Sequence, residues 1–192
     1  MSGLSFWNIL LALLLGYLIG SFPSGLIFSR LFGGKDPRMV GSGHTGATNV
    51  FRNVNRVTGV LTALADVGKG ALAVWLALQL TPSPWVVPLA GAAAVAGHCW
   101  PIFAQFRGGM GLATAAGLAL WFFPLLIPIF AVFYFMLQRF VRHQARSIML
   151  LSALIPTILL ALRVDTPKLV LGAALSVVLI IRWASDFHRV YE

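Results

Sequence analysis

Charged side chains are scarce in this chain. Only 10% of its 192 residues are charged, and 59% are hydrophobic. Soluble domains carry about a quarter charged residues, so this chain has too few polar side chains to cover a globule. Together with the mean hydropathy of +0.89, this scarcity predicts an integral membrane protein without a soluble domain of useful size.

Cysteine and clustered metal ligands are scarce as well. The single cysteine, Cys99, excludes an internal disulfide framework. The histidines lack the spacing and the acidic partners of a zinc site. We therefore expect no metal site.

Acidic residues number only five against fourteen lysines and arginines, so the net charge is +9. In a soluble protein such an excess would indicate nucleic acid as the partner. In a membrane protein it indicates loops that face anionic lipid, together with an anion site. We expect membrane lipid as a partner and no nucleic acid.

Long apolar runs predict the helices, since a spanning helix needs about 20 mostly apolar residues. The clear candidates are Leu4–Phe28, Val57–Leu80, Trp85–Phe103, Ile148–Leu162 and Lys168–Ile181. The first is interpreted as a retained helix, because no basic region of a cleaved signal precedes it. Leu112–Leu137 is either one long helix or two short helices broken at Phe123-Pro124.

The basic residues distinguish these two possibilities. They cluster in Arg30–Arg56, at Arg107, in Arg139–Arg146 and near the C-terminus. Only a break at Pro124 places every cluster on the cytoplasmic side, as the positive-inside rule requires. The sequence therefore predicts an all-α integral membrane protein of about seven transmembrane or re-entrant helices. Its N-terminus would lie outside, its C-terminus would be cytoplasmic, and residues 1–192 would form a single membrane-embedded domain.

The first basic loop contains the stretch "GSGHTGATNVFR", Gly41–Arg52. Backbone N–H groups at glycines, with hydroxyls and a nearby cation, suit phosphate binding. The alternative is a flexible cytoplasmic loop of turn residues. The candidate phosphate ligands are Ser42, Gly43, Thr48, Asn49 and Arg52.

Two further polar features are candidates for substrate binding. Asp66 and Lys69 stand one helical turn apart in "ADVGKG", near the predicted cytoplasmic end of the second helix. Ionisable residues in a spanning helix are costly and mark functional sites by default, although a structural ion pair is the alternative. His98 precedes Pro101 at the end of the third helix, where it either contacts substrate or packs through hydrogen bonds.

The stretch "FRGGMGLATAAG", Phe106–Gly117, is a second glycine loop beside a cation. Glycine lets backbone approach a ligand, and the N-terminus of the following helix favours an anion. A tight turn between membrane helices is the alternative. The candidate ligands are Arg107, Gly108, Gly109 and Gly111. Since all of these elements map to one predicted face, we expect phosphate recognition beside lipid.

Four stretches carry a resemblance to a known family. They are "YLIGSFPSG" (Tyr17–Gly25), "VGSGHTGATNVFR" (Val40–Arg52), "DVGKG" (Asp66–Gly70) and "GHCWPIFAQFRGGMGLATAAG" (Gly97–Gly117). In their order and spacing the chain resembles the bacterial acyl-phosphate:glycerol-3-phosphate acyltransferases. The resemblance implies transfer of a fatty acyl group from acyl phosphate to the 1-hydroxyl of glycerol 3-phosphate, forming lysophosphatidate in phospholipid synthesis. It further implies a monomeric enzyme of the bacterial inner membrane, with a cytoplasmic site, no cofactor and substrate-assisted proton transfer.

Carried over by position, the resemblance makes Ser42 and Arg52 phosphate-binding and substrate-positioning residues. Asn49, Asp66, Lys69 and His98 match motif residues of the site, and Gly108, Gly109 and Gly111 match its second glycine loop. No side chain is assigned as the catalytic group.

The chain departs from the family pattern at several positions. Met110 stands where the second loop normally has a lysine, and His44 stands where the first loop normally has an asparagine. Near the C-terminus, Trp183 and Asp186 interrupt an R-H-x-x-N pattern that begins at Arg182. Because methionine cannot replace a lysine charge, a divergent member with weak, altered or no acyltransferase activity is the alternative function. A small transporter is the third, although its site should lie near the bilayer midplane.

Overall fold

The computed structural model describes residues 6–81 and 83–189, and within these ranges the chain is helical and has no strand. The helices are α1 Phe6–Gly20, α2 Ser24–Phe28, α3 Ala47–Asn53, α4 Arg56–Leu80, α5 Val86–Cys99, α6 Leu112–Phe122, α7 Leu126–Val141, α8 Gln144–Ala161 and α9 Thr166–Ala184. Five helical segments in the described ranges are long and apolar enough to span a membrane, while α6 and α7 are shorter apolar helices. The predicted all-α membrane architecture is thereby confirmed.

A proline separates α6 from α7. Pro124 has no N–H group to continue the helix, and α6 ends two residues before it. The N–H of Leu126 then bonds the carbonyl of Phe123 at 2.9 Å, which closes a turn before α7 begins. The break at Phe123-Pro124, predicted from the distribution of charge, is confirmed.

A second proline interrupts the first apolar segment, which the sequence had predicted as one helix, Leu4–Phe28. In the described residues α1 ends at Gly20 and α2 begins at Ser24; Leu4 lies outside them. Pro23 has no N–H with which to bond the carbonyl of Ile19, and the N–H of Phe22 bonds that carbonyl instead at 3.2 Å. Phe6–Phe32 is nevertheless long and apolar enough to span a membrane, so the predicted first spanning segment is confirmed, with a break at Pro23 that was not predicted.

The chain forms two compact units, Met1–Leu118 and Ala119–Glu192, whose boundary falls inside α6. In the first unit α1 packs against α4 and α5. Gly16 and Gly20 of α1 lie so close to the Ala90 and Ala94 carbonyls that a Cβ at either glycine would collide with them. Small residues of this kind let membrane helices approach closely.

In the second unit α8 packs along α9, and α7 contacts α8. Near the start of α8, the guanidinium of Arg146 lies 4.9 Å from the centre of the Phe187 ring and donates to the Phe187 carbonyl at 3.4 Å. The basic turn between α7 and α8 thus lies at the same end of this unit as the residues after α9. That arrangement agrees with the charge distribution, whereas the assignment of residues 1–192 to one domain and the orientation of the termini remain predictions.

Candidate active site

The first glycine loop, residues 41–46, is held from inside by Asn49 of α3. The Asn49 amide nitrogen donates to the carbonyls of Pro37 and His44, both at 2.8 Å, and its oxygen accepts the N–H of Ser42 at 3.1 Å. Gly41 and Gly43 have φ angles of 54° and 73°, a region that glycine adopts without strain. The loop conformation therefore depends on one buried amide and two glycines.

Two predicted ligands lie on the exposed side of α3. Thr48 and Arg52 are both exposed and, being four residues apart, share one helix face. The Arg52 side chain has no hydrogen bond or ion pair with any other described residue. Ser42 is half-buried in the loop, and its hydroxyl accepts the N–H of His44 at 3.4 Å. Arg52 is thus a cation available to a ligand.

Arg38, in contrast, is held by a neighbour. Its guanidinium bonds the Asp36 carboxylate at 2.6 Å. This hydrogen bond holds the pKa of the Asp36 carboxyl below its usual value. Arg38 therefore stabilises the chain before the first glycine loop.

A buried polar cluster lies on α2, α4 and α5. The Lys69 ammonium is 2.8 Å from Asp66 Oδ1, and the Ser24 hydroxyl donates to the same oxygen at 2.5 Å. His98 Nδ1 lies 3.4 Å from it. All four side chains are more than nine-tenths buried. We call Ser24, Asp66, Lys69 and His98 the buried cluster.

The buried cluster is deeper than the sequence predicted. Asp66 lies ten residues after the start of α4, which is about 15 Å along the helix axis. Lys69 is directed into the break between α1 and α2, where it donates to the Phe22 carbonyl at 3.1 Å. The ion pair between Asp66 and Lys69 is present in the structure, and a role of either side chain in substrate binding remains a prediction.

The second glycine loop, residues 107–111, rests on His98. The N–H of Gly109 bonds the His98 carbonyl at 3.1 Å, and a Cβ at Gly109 would collide with His98 Nε2. The N–H of Thr45 bonds the Gly108 carbonyl at 3.4 Å. The two glycine loops therefore contact each other beside the imidazole.

The second glycine loop leads straight into α6. Gly111 has a φ of 86° and its carbonyl accepts the N–H of Ala115 at 2.9 Å. The first N–H groups of α6 consequently have no acceptor within the helix, and the helix dipole makes this end attractive to anions. Arg107 is exposed, and its side chain makes no hydrogen bond or ion pair with the rest of the described chain.

The predicted site residues thus fall into two layers. Arg52, Thr48 and Arg107 are exposed, whereas Asp66, Lys69 and His98 are buried. Sequence reasoning missed Ser24, although a proline between polar residues in an apolar run, "SFPSG", was a signal for it. Across residues 6–81 and 83–189 no group of three or more His, Cys, Asp or Glu side chains could hold a metal.

Comparison with known proteins decides the family. A sequence model of the family described as glycerol-3-phosphate acyltransferase matches residues 10–192. The chain belongs to the glycerol-3-phosphate acyltransferase family. A relative named glycerol-3-phosphate acyltransferase from Aromatoleum aromaticum is 38% identical over 187 residues, covering 95% of this chain and 92% of the relative. One of the same name from Staphylococcus aureus is 36% identical over 193 residues, covering 96% and 95%.

Solved structures of PlsY (YgiH), an integral membrane glycerol 3-phosphate acyltransferase, are similar to this family member. The glycerol 3-phosphate form matches with a TM-score of 0.81 at 28% identity, covering 94% of this chain and 90% of PlsY. The lysophosphatidic acid form matches with a TM-score of 0.79 at 26% identity and the same coverage. The family fold is therefore that of an integral membrane acyltransferase.

Proposed function

We propose that this protein transfers a fatty acyl group from acyl phosphate to the 1-hydroxyl of glycerol 3-phosphate, releasing phosphate and forming lysophosphatidate. The observation that carries this proposal is the direct contact between the two glycine loops in a member of this family. An exposed arginine accompanies each loop, Arg52 on α3 after the first and Arg107 at the start of the second, and the N-terminus of α6 adds N–H groups that have no acceptor within the helix. Together they suit two phosphate-bearing substrates held side by side.

Charge explains why two cations are needed. Acyl phosphate and glycerol 3-phosphate repel each other, and the reaction requires that they be held close together. Arg52 and Arg107 are exposed and lack side-chain partners among the described residues, so both are available to offset that repulsion. Positioning alone can then supply much of the rate enhancement, because acyl phosphate is an activated donor.

In the proposed step the 1-hydroxyl oxygen attacks the acyl carbonyl carbon. The bond between that carbon and the phosphate oxygen breaks, and phosphate leaves with the electron pair. A substrate phosphate accepts the hydroxyl proton. Asp66 is not assigned as the base, since it is buried and bonded to Ser24 and Lys69; its role is to fix the site.

Apolar side chains beside the loops suit a substrate with a fatty chain. Phe106, next to Arg107, is 57% exposed, and Phe51, next to Arg52, is 43% exposed. An acyl phosphate at the membrane surface would present its phosphate to the cation and its chain to the aromatic ring. The lipid-facing surface is thus proposed as the route for the donor.

We place the loops on the cytoplasmic side of the bacterial inner membrane. Basic residues concentrate between Arg30 and Arg56, around the first glycine loop, and the positive-inside rule places such loops in the cytoplasm. Both glycine loops belong to the same unit of one chain. We therefore propose that the monomer is active.

A direct test uses the purified protein in detergent with acyl phosphate and radiolabelled glycerol 3-phosphate. We expect labelled lysophosphatidate, and none from a boiled sample or with acyl-coenzyme A as the donor. Folded protein that makes no lysophosphatidate would overturn the proposed reaction. Uptake of unmodified glycerol 3-phosphate into sealed vesicles would instead favour the transporter alternative.

Met110→Lys is expected to tighten glycerol 3-phosphate binding about tenfold, because a charge-assisted contact to phosphate contributes about 1.5–3 kcal/mol. Michaelis constants measured for the wild type and the variant check this. Met110→Gln, similar in size but uncharged, is the control and should change little. An unchanged or weaker affinity in Met110→Lys would mean that another cation already serves this loop.

Gly109→Ala is expected to lower kcat/KM about tenfold, since the added Cβ would displace the His98 imidazole and with it the loop that orients substrate. Gly68→Ala is the matched control, because a Cβ there meets no heavy atom within 4 Å. Steady-state kinetics of both variants provide the measurement. Equal activity of the two would show that His98 does not support the second glycine loop.

A further inference from the structure

The buried cluster begins at the proline break between α1 and α2. We infer that Ser24 is a positioning residue for acyl transfer. It holds Asp66, Asp66 lies against His98, and the second glycine loop rests on His98. This inference rests on the proposed function for the identity of the ligand, glycerol 3-phosphate.

The first link is the hydrogen bond from Ser24 to Asp66. The Ser24 side chain is 2% exposed, and its hydroxyl donates to Asp66 Oδ1 at 2.5 Å. A hydrogen bond to a charged acceptor is roughly twice as strong as a neutral one, and low surrounding dielectric strengthens it further. Ser24 thus restrains the Asp66 carboxylate from α2, whereas Asp66 and Lys69 both lie on α4.

The second link is formed at the break between α1 and α2, where one group bonds Lys69 and another bonds Asp66. The Phe22 carbonyl accepts from Lys69 at 3.1 Å, and the Ser24 hydroxyl bonds Asp66, which pairs with Lys69 at 2.8 Å. Because Pro23 interrupts the helix, these two groups are turned toward α4. The break, which costs helical hydrogen bonds, thereby gives the ion pair two additional partners.

The third link passes from Asp66 to the second glycine loop. His98 Nδ1 lies 3.4 Å from Asp66 Oδ1, and the Nε2 edge of the same ring lies against Gly109. The His98 carbonyl also accepts the N–H of Gly109 at 3.1 Å. A shift of the carboxylate would therefore move the imidazole, and a shift of the imidazole would move the loop.

Ser24→Ala tests the inference. We expect the KM for glycerol 3-phosphate and the Kd for the radiolabelled compound to rise about tenfold, the size of one lost charge-assisted hydrogen bond, with a smaller change in kcat. Ser29→Ala is the matched control. Ser29 is also fully buried, and its hydroxyl has no hydrogen-bonding partner in the described part of the chain, so its KM and Kd should be unchanged.

A double-mutant cycle separates positioning from general support of the fold. In a His98→Ala background, Ser24→Ala should add little to the rise in Kd, because its effect passes through the imidazole. If the increases in Kd caused by Ser24→Ala and His98→Ala multiply in the double variant, Ser24 does not act through His98. Ser24→Cys, similar in size with a weak donor, is expected to give an intermediate Kd and replaces Ser24→Ala if that variant does not fold.

The outcomes for Ser24 and for the proposed function are distinguishable. Wild-type protein that binds glycerol 3-phosphate without acylating it would overturn the proposed function and leave the role of Ser24 to be decided by Kd. Equal Kd values for Ser24→Ala and Ser29→Ala would overturn the role of Ser24 alone.

Discussion

Arg52→Ala is expected to reduce kcat/KM about a hundred- to a thousandfold, which is the usual effect of removing one preorganised donor to developing charge. Arg52 is exposed on α3 beside the first glycine loop, and its guanidinium makes no hydrogen bond or ion pair elsewhere in the described chain. Removal of the guanidinium should therefore lower kcat/KM without lowering the thermal unfolding midpoint. Steady-state kinetics together with the thermal unfolding midpoint in detergent measure both quantities.

Two further variants make this prediction specific. Arg56→Ala removes the next arginine in the chain, which is also exposed and has no side-chain partner among the described residues, and it should retain near wild-type activity. Arg52→Lys keeps the charge but not the planar fork that binds phosphate, and intermediate activity is expected. Turnover by Arg52→Ala equal to that of Arg56→Ala would contradict the role given to Arg52.

Asp66→Asn is expected to lower the free energy of unfolding by about 3–5 kcal/mol, because it leaves a buried lysine without its counter-charge. Both partners of this ion pair are more than nine-tenths buried, and Asp66 also accepts the Ser24 hydroxyl. Thermal unfolding in detergent should show the loss as a markedly lower midpoint. Combining Asp66→Asn with Lys69→Met should recover much of it, since no isolated charge then remains.

Asp165→Asn is the matched control, because Asp165 and Lys168 form a second aspartate–lysine pair with the same spacing, at 2.6 Å. Half of the Asp165 side chain is exposed, and exposed pairs contribute little. The hydrogen bond from Lys168 lowers the pKa of the Asp165 carboxyl, so any contribution is present above the pKa of an unfolded aspartate and is lost as pH falls. If Asp66→Asn and Asp165→Asn lowered the free energy of unfolding equally at neutral pH, the buried pair would have no special structural role.

The architecture could be predicted because hydropathy and charge act over long stretches of chain. The break at Pro124 was predictable since basic residues follow it, and a single crossing would have separated them from the other basic clusters. The two glycine loops were predictable from residue type, because several glycines beside an arginine favour a turn that binds an anion. Their contact through Thr45 and Gly108 required the structure.

The interior of the site was harder to predict, because spacing along one helix says nothing about partners from another. The three-residue spacing of Asp66 and Lys69 predicted their ion pair, but not that the Phe22 carbonyl would accept from the lysine. No charged residue lies near Pro23 in the sequence, so the charge distribution that located the break at Pro124 did not locate this one, and the proline between serines in "SFPSG" was the only signal. Asn49 has the same hydrogen-bonding groups whether it binds a phosphate or a loop backbone, and in the structure it bonds the backbone.

The central claim is that the two glycine loops bring acyl phosphate and glycerol 3-phosphate together for direct transfer. The most direct measurement quantifies lysophosphatidate and inorganic phosphate in the same reaction of the purified protein, before and after Arg52→Ala. We predict that the two products form in equal amounts in the wild type and that both are lost together in the variant. Phosphate release without lysophosphatidate, or lysophosphatidate formation that survives the loss of Arg52, would contradict it.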